Sequence, residues 1–247
     1  MRPAPGWLLD LRSGLVPYAD AWSLQRDLVR ARQAGAVPDV LLLLEHPPVV
    51  TLGRSGKAQN LLVSPNVLHA HGIELFEVER GGDITYHGLG QLVGYPIVDL
   101  RALDEDVVRY MRTLEESLIR TLAVFGIEGG RERGYPGVWV GGSKVAAMGV
   151  AVKRRVTMHG FALNVSTDLS VFDLINPCGL GRPVTSMSRL TGHPIDVNQV
   201  RGVYAEQFTQ VFGIGLAPID RVHVSAALTT LPPREPGPSG PEALARA

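Results

Sequence analysis

The chain contains one cysteine, Cys178, and three lysines, Lys57, Lys144 and Lys153, against twenty-one arginines. Cys178 sits in INPCGLGRPVTSM, where Pro177, Gly179 and Gly181 describe an irregular loop. A thiol there is a candidate nucleophile, but at an ordinary pKa of ~8.5 it is only slightly ionised at neutral pH and needs a nearby cation. The alternative is a small buried hydrophobe. Lys144, in VGGSKVAAMG, is the lysine best placed to supply that cation, because glycines on one side and small apolar residues on the other suit a sheet interior where an ammonium must find a partner. A solvent-facing lysine on a turn built by Gly141 and Gly142 is the competing reading.

The densest polar cluster is RGGDITYHGLGQ, from Arg80 to Gln91. Arg80 offers a planar fork for a carbonyl or carboxylate, Gly81 and Gly82 allow close backbone approach, and Thr85, Tyr86 and His87 supply donors and an acceptor. A glycine-rich hairpin that satisfies its own backbone remains open beside it. GRSGK, from Gly53 to Lys57, is too short for a phosphate-binding loop, no histidine pair has HExxH spacing, and the seven histidines are scattered, so no metal is expected.

Composition sets the outer bounds. With 247 residues, 45% hydrophobic and 24 basic against 24 acidic side chains, the chain can build a sizeable core and has no basic excess for nucleic acid or a membrane surface. One cysteine excludes an internal disulfide. The opening MRPAPGWLLDLRSG lacks a signal peptide's apolar core, and the aliphatic run Val40 to Leu44 is far short of a span, so a cytoplasmic protein is expected.

The elements that must hold these residues alternate at first. GWLLDLR reads as a strand, AWSLQRDLVRARQAG as a helix stopped at Gly35, and Asp39 to Glu45 and Val49 to Leu52 as strands. Ser64 and Pro65 start a short helix ending at Gly72, before the strand IELFEVE. After a strand from Gln91 to Leu100, Asp104 is expected to cap the best helix, which stops at Gly126 and has an acidic first turn. PGVWVGG, SKVAAMGVAVKRR and TMHGFALNV then read as an antiparallel meander, and a helix covers Val197 to Phe212. The expected fold class is α+β, a mixed β-sheet flanked by helices, with one domain over 1–231 and a flexible Pro/Gly-rich tail over 232–247. The Lys153 to Arg155 run is either a solvated strand edge or a patch that receives an acidic partner.

RGGDITYHGLGQLVGYPIVDL, GGSKVAAMGV, HGFALNV and NPCGL, in this order, closely resemble the lipoate-biosynthesis octanoyltransferases, over about Leu41 to Leu190. The resemblance implies the biotin/lipoate protein ligase fold and transfer of an octanoyl group from octanoyl-acyl carrier protein to a lysine of lipoyl domains, in 2-oxoacid dehydrogenase E2 subunits and the glycine cleavage H protein. It places the acyl-thioester cysteine on Cys178 and the activating acid/base on Lys144. It also places the substrate pocket on Arg80, Gly81, Gly82, Asp83, Ile84, Thr85, Tyr86 and His87, on Ala147, Met148 and Gly149, and on Gly160, Phe161 and Ala162. Neither metal nor ATP nor another cofactor is implied. Leu89 stands where many members carry proline, which is expected to change loop stiffness only. The rivals are an ATP-dependent lipoate ligase of the same fold, which needs no cysteine, and a non-catalytic binder of acyl or lipoyl carriers.

Overall fold

Five consecutive aliphatic side chains with no polar alternation belong in a strand covered on both faces. Val40–Leu44 is such a strand (β2), and all five residues are buried. It runs parallel to β1 (Gly6–Asp10) on one side and antiparallel to β6 (Gln91–Ile97) on the other. The computed structural model describes residues 5–176 and 182–229; Cys178 and the tail 232–247 lie outside the described residues.

The meander read from the glycine spacing is present. Residues Tyr135–Val140 (β8), Ser143–Lys153 (β9) and Val156–Asn164 (β10) pair antiparallel, and β10, buried at all nine positions, pairs with β6. With the short β7 (Gly130–Glu132) and the edge strand β11 (Leu216–Ile219) they complete an eight-stranded sheet in the order β11-β1-β2-β6-β10-β9-β8-β7. A second sheet of three strands has β3 (Val49–Leu52) between β4 (Glu74–Glu77) and β5 (Ile84–His87). Mixed sheets flanked by helices are the class the sequence predicts.

Two helices, α3 (Val107–Val124) and α5 (Val197–Phe212), pack on each other and cover one face of the large sheet through Leu114, Leu118, Tyr204 and Phe208. Helix α1 (Tyr18–Gln33) covers part of the opposite face through Ala21, Leu28 and Val29. Its first turn packs on the small sheet, where Tyr18 meets Val49 and Phe76. A short helix α2 (Pro65–Ala70), capped by Ser64, lies against β4, a one-turn helix α4 (Met187–Thr191) is capped by Ser186, and α6 (Arg221–Thr229) packs on α1.

Some expectations need correction. The cap of α3 is Asp106, whose carboxylate accepts from the N–H groups of Val108 and Arg109, while Asp104 stands two residues earlier at φ 56° and pairs with Arg109. A turn of 3-10 helix over Leu100–Leu103 takes up the residues between β6 and that cap, and the first turn of α3 holds no acid. The 80–91 cluster is not one loop, since Ile84–His87 forms a strand. The edge strand β11 and helix α6 were not predicted: four residues with a proline give little periodic signal, and pairing to β1 supplies the order.

Candidate functional site

The two sheets do not close on each other. Between them lies a cavity of about 800 Å³, within the range of small-molecule sites. Strand alternation explains its floor: Ala147, Gly149, Gly160 and Ala162 are cross-strand neighbours on the face of β9 and β10 turned toward the small sheet. Small side chains there leave an apolar trough. The facing wall comes from Arg80 to Thr85 and from His87. Met148 and Phe161 also border the cavity but pack mainly into the core beneath α3 and α5, where the Phe161 ring lies tilted against Tyr204 with centroids 4.5 Å apart.

Gly149 permits a close approach between the two walls. A Cβ there would stand 2.6 Å from the Gly81 carbonyl oxygen, and the Gly81 N–H donates to the Val150 carbonyl at 2.8 Å. Arg80 is buried, and its guanidinium donates to the Thr51 carbonyl at 2.6 Å, to Thr51 Oγ1 at 2.9 Å and to the Gly81 carbonyl at 3.1 Å. The fork therefore clamps the loop to β3. Asp83 accepts from the Lys57 N–H at 3.2 Å and from Asn60 Nδ2, and its own carbonyl accepts from Gly53. Tyr86, alone of the 80–87 segment, is not part of the lining: its ring packs against Phe172 at 5.6 Å in the core of the small sheet.

Lys144 lies at the open end of the cavity, at the start of β9, after a turn in which Gly141 and Gly142 adopt φ 55° and 79°. Both sequence readings meet here, since the residue follows the turn and is half-buried. Its Nζ stands 4.7 Å from the centre of the Trp139 ring, a cation–π contact. Its backbone is fully engaged: the Lys144 N–H donates to Pro183 and its carbonyl accepts from Thr185, both at 2.9 Å. The N–H of Lys144 is thus not a free oxyanion donor. Residues 183–185 accordingly run alongside Lys144, and Val184 and Asn176, which stand on either side of the segment holding Cys178, both line the cavity.

A polar chain ties these walls together. Gln91 Nε2 donates to Asn164 Oδ1 at 2.9 Å and to the Tyr86 carbonyl at 3.0 Å, so Gln91 Oε1 must be the acceptor from His87 Nδ1, 2.8 Å away. Asn164 Nδ2 then donates to the Thr185 carbonyl at 3.0 Å. Three side chains and two backbone carbonyls thereby link β5, β6, β10 and the segment beside Lys144.

The histidines are scattered in sequence, yet three of them converge. His46 Nδ1 donates to the Val16 carbonyl at 2.6 Å, so its Nε2 accepts from the Tyr95 hydroxyl at 2.7 Å. The His46 and His87 rings are 5.7 Å apart, and His159 is 6.3 Å from Tyr95. Burial lowers the pKa of His46 to about 4, against the opposing pull of the Val16 carbonyl. Burial likewise holds His87 well below the usual range, helped by its neighbour His46, and depresses His159 despite nearby Glu79. All three are neutral at pH 7. Among the described residues no group of histidine, cysteine and acidic side chains has the arrangement of a metal site. Tyr18, Tyr95 and His159 were missed by sequence reasoning, because each is isolated in the chain and only packing unites them.

The model of the lipoyl protein ligase A/B catalytic domain matches residues 17–209. An octanoyltransferase of Gloeobacter violaceus is 53% identical over 86% of this chain and 94% of its own length. One from Solibacter usitatus is 51% identical over 83% and 93%. Among solved structures, a Thermoplasma acidophilum protein described as a putative lipoate protein ligase has a TM-score of 0.72 at 20% identity, covering 92% of this chain and 93% of its own. A lipoate-protein ligase A bound with ATP gives 0.73 at 21%, with the same coverage. At these identities the structures speak for the fold, in agreement with the sheet and helix arrangement above. By the family match and the half-identical relatives, the chain belongs to the lipoyl protein ligase A/B catalytic domain family and, within it, to the octanoyltransferases.

Proposed function

We infer that the protein transfers an octanoyl group from octanoyl-acyl carrier protein to a lysine of lipoyl domains, through a thioester on Cys178. The observation that carries this reading is the apolar trough with Lys144 at its open end, bordered on both sides of the Cys178 segment by Asn176 and Val184. The relatives named octanoyltransferase, at half identity, supply the acyl group. An acyl chain fits a floor of glycine and alanine, and each buried methylene contributes ~0.8 kcal/mol of binding.

The route has two transfers. The Cys178 thiolate, favoured by the Lys144 ammonium, attacks the thioester carbonyl carbon; the tetrahedral oxyanion collapses, the carrier C–S bond breaks, and the departing thiolate takes a proton from Lys144. Neutral Lys144 then accepts a proton from the incoming lysine amine as that amine attacks the Cys178 thioester. The amide forms and the Cys178 thiolate is restored. Backbone N–H groups beside Cys178 are the oxyanion donors in this scheme, since that of Lys144 is already committed. Thioester exchange is nearly balanced and amide formation is downhill, so the route needs no ATP.

Intact mass measured after incubation with octanoyl-acyl carrier protein tests it. A single octanoyl adduct that disappears in Cys178→Ser is expected; absence of the adduct, or its survival in the variant, overturns the reading. Strict ATP dependence of product formation would assign the adenylate-forming reaction of a ligase instead.

A further inference from the structure

The cavity has one open and one closed end. Lys57, Gln59 and Pro136 are exposed at the first, whereas Tyr18, Tyr95 and His159, at the second, are each at most 3% exposed. Lys144 is at the open end and Gly149 faces Gly160 further along β9. A chain anchored beside Lys144 therefore has one direction in which to run and one wall at which to stop.

That wall is not apolar. His159 carries a left-handed backbone, φ 58°, and neither ring nitrogen has a hydrogen-bond partner among the described residues. Its Nε2 stands 3.7 Å from Glu79 Oε2, beyond hydrogen-bond length. Gln25, which accepts the His159 N–H at 2.7 Å, also has a buried and unpartnered amide nitrogen. Tyr18 brings a phenol to the same end, and the Tyr95 hydroxyl is held by His46. Buried polar groups of this kind are satisfied by water when there is room for it.

We propose that Tyr18, Tyr95 and His159 are specificity-determining residues that end the acyl chain at the octanoyl length. The proposal rests on the acyl-transfer reading above and adds the identity of the length stop. A chain that ends before this wall leaves its polar groups clear of apolar contact. A longer chain presses methylenes on the His159 ring nitrogens and the Tyr18 phenol and offers them no hydrogen bond, and the loss exceeds what the added methylenes return. The stop is thus chemical as well as steric, and removing polarity without adding bulk should move it.

The test compares octanoyl- and decanoyl-acyl carrier protein as donors for a lipoyl domain, using the full chain. The wild type is expected to transfer octanoyl at least about tenfold faster. Tyr18→Phe and His159→Leu are each expected to raise the decanoyl-to-octanoyl rate ratio by about fivefold or more. Equal rates for the two donors in the wild type would overturn the proposal whether or not either variant folds, as would an unchanged ratio in a folded, active variant. A wild type that transfers neither chain would instead bring down the acyl-transfer reading itself.

Discussion

Gly149 controls how near β9 comes to the loop that follows β4. Alanine there would press a Cβ to within 2.6 Å of the Gly81 oxygen and 3.1 Å of Arg80 Cδ, and the loop is tethered by Arg80 and by the Gly81 hydrogen bond, so it yields little. Gly149→Ala should cost ~1 to 3 kcal/mol and lower the melting temperature by several degrees in a thermal scan. Lys144 poses a different question, because the proposed route needs its proton and not only its charge. Lys144→Arg keeps the charge, but guanidinium does not release a proton near neutral pH. Steady-state rates with octanoyl carrier should fall about a hundredfold or more in that variant. Turnover equal to the wild type would remove Lys144 from the acid and base role.

At the scale of elements, one ion triad holds the turn that leads into β6. Arg201, on α5 and only 1% exposed, donates to Asp10 on β1 at 3.0 Å and to Glu45 just after β2 at 3.1 Å. Glu45 in turn accepts the Gly90 N–H at 2.8 Å, which fixes the turn between His87 and Gln91. Arg201→Met would leave Glu45 without its ion-pair partner and Asp10 with the exposed Arg12 alone, in a nearly dry site. A loss of about 3 to 5 kcal/mol is expected, read as a drop in the urea midpoint. None of this was visible in the sequence, where Asp10, Glu45 and Arg201 are ordinary charged residues far apart. Helices α1, α2, α3 and α5 and the meander were visible because periodicity and glycine spacing are local. The cap of α3 was misread by two residues: Asp104 and Asp106 are equivalent as text, and only the left-handed turn at Asp104 and Glu105 decides between them.

For the whole molecule, three buried neutral histidines predict a pH dependence with a definite sign. His46 has a folded pKa of about 4 against an ordinary 6.5, so below pH 6.5 the unfolded chain binds protons that the folded chain refuses. Stability is full above pH 6.5 and is lost as pH falls toward 4, with His46 alone accounting for roughly 2 kcal/mol by pH 5. His87 and His159, depressed in the same direction, add to the same window. Glu79 acts lower down. Partial burial pushes its pKa up, but His159, its own N–H and Lys153 outweigh burial and hold it well below the carboxylate range, so its contribution is present at neutral pH and lost only under acid conditions. Urea midpoints at pH 7 and pH 5 check the histidine part. A midpoint unchanged between them would exclude burial of neutral His46, and His46→Gln should flatten the dependence.

The amino-acid order alone determined the strands and helices whose patterns are local, the fold class, and a short set of candidates in which Cys178 and Lys144 stand out by scarcity and by their glycine-rich surroundings. It also determined the family, through four motifs kept in order. Tertiary structure decided which of the candidate segments form walls and which form core: it turned Arg80 into a clamp, sent Tyr86 into the small-sheet core and joined His87 to Asn164 through Gln91. It also gathered His46, His87, His159, Tyr18 and Tyr95 around one closed end. The physical reason is the range of the forces. Propensity, capping and alternation act over a few residues and are written in neighbours, whereas a cavity and its polar lining depend on how two sheets stack, which residues more than a hundred positions apart settle together.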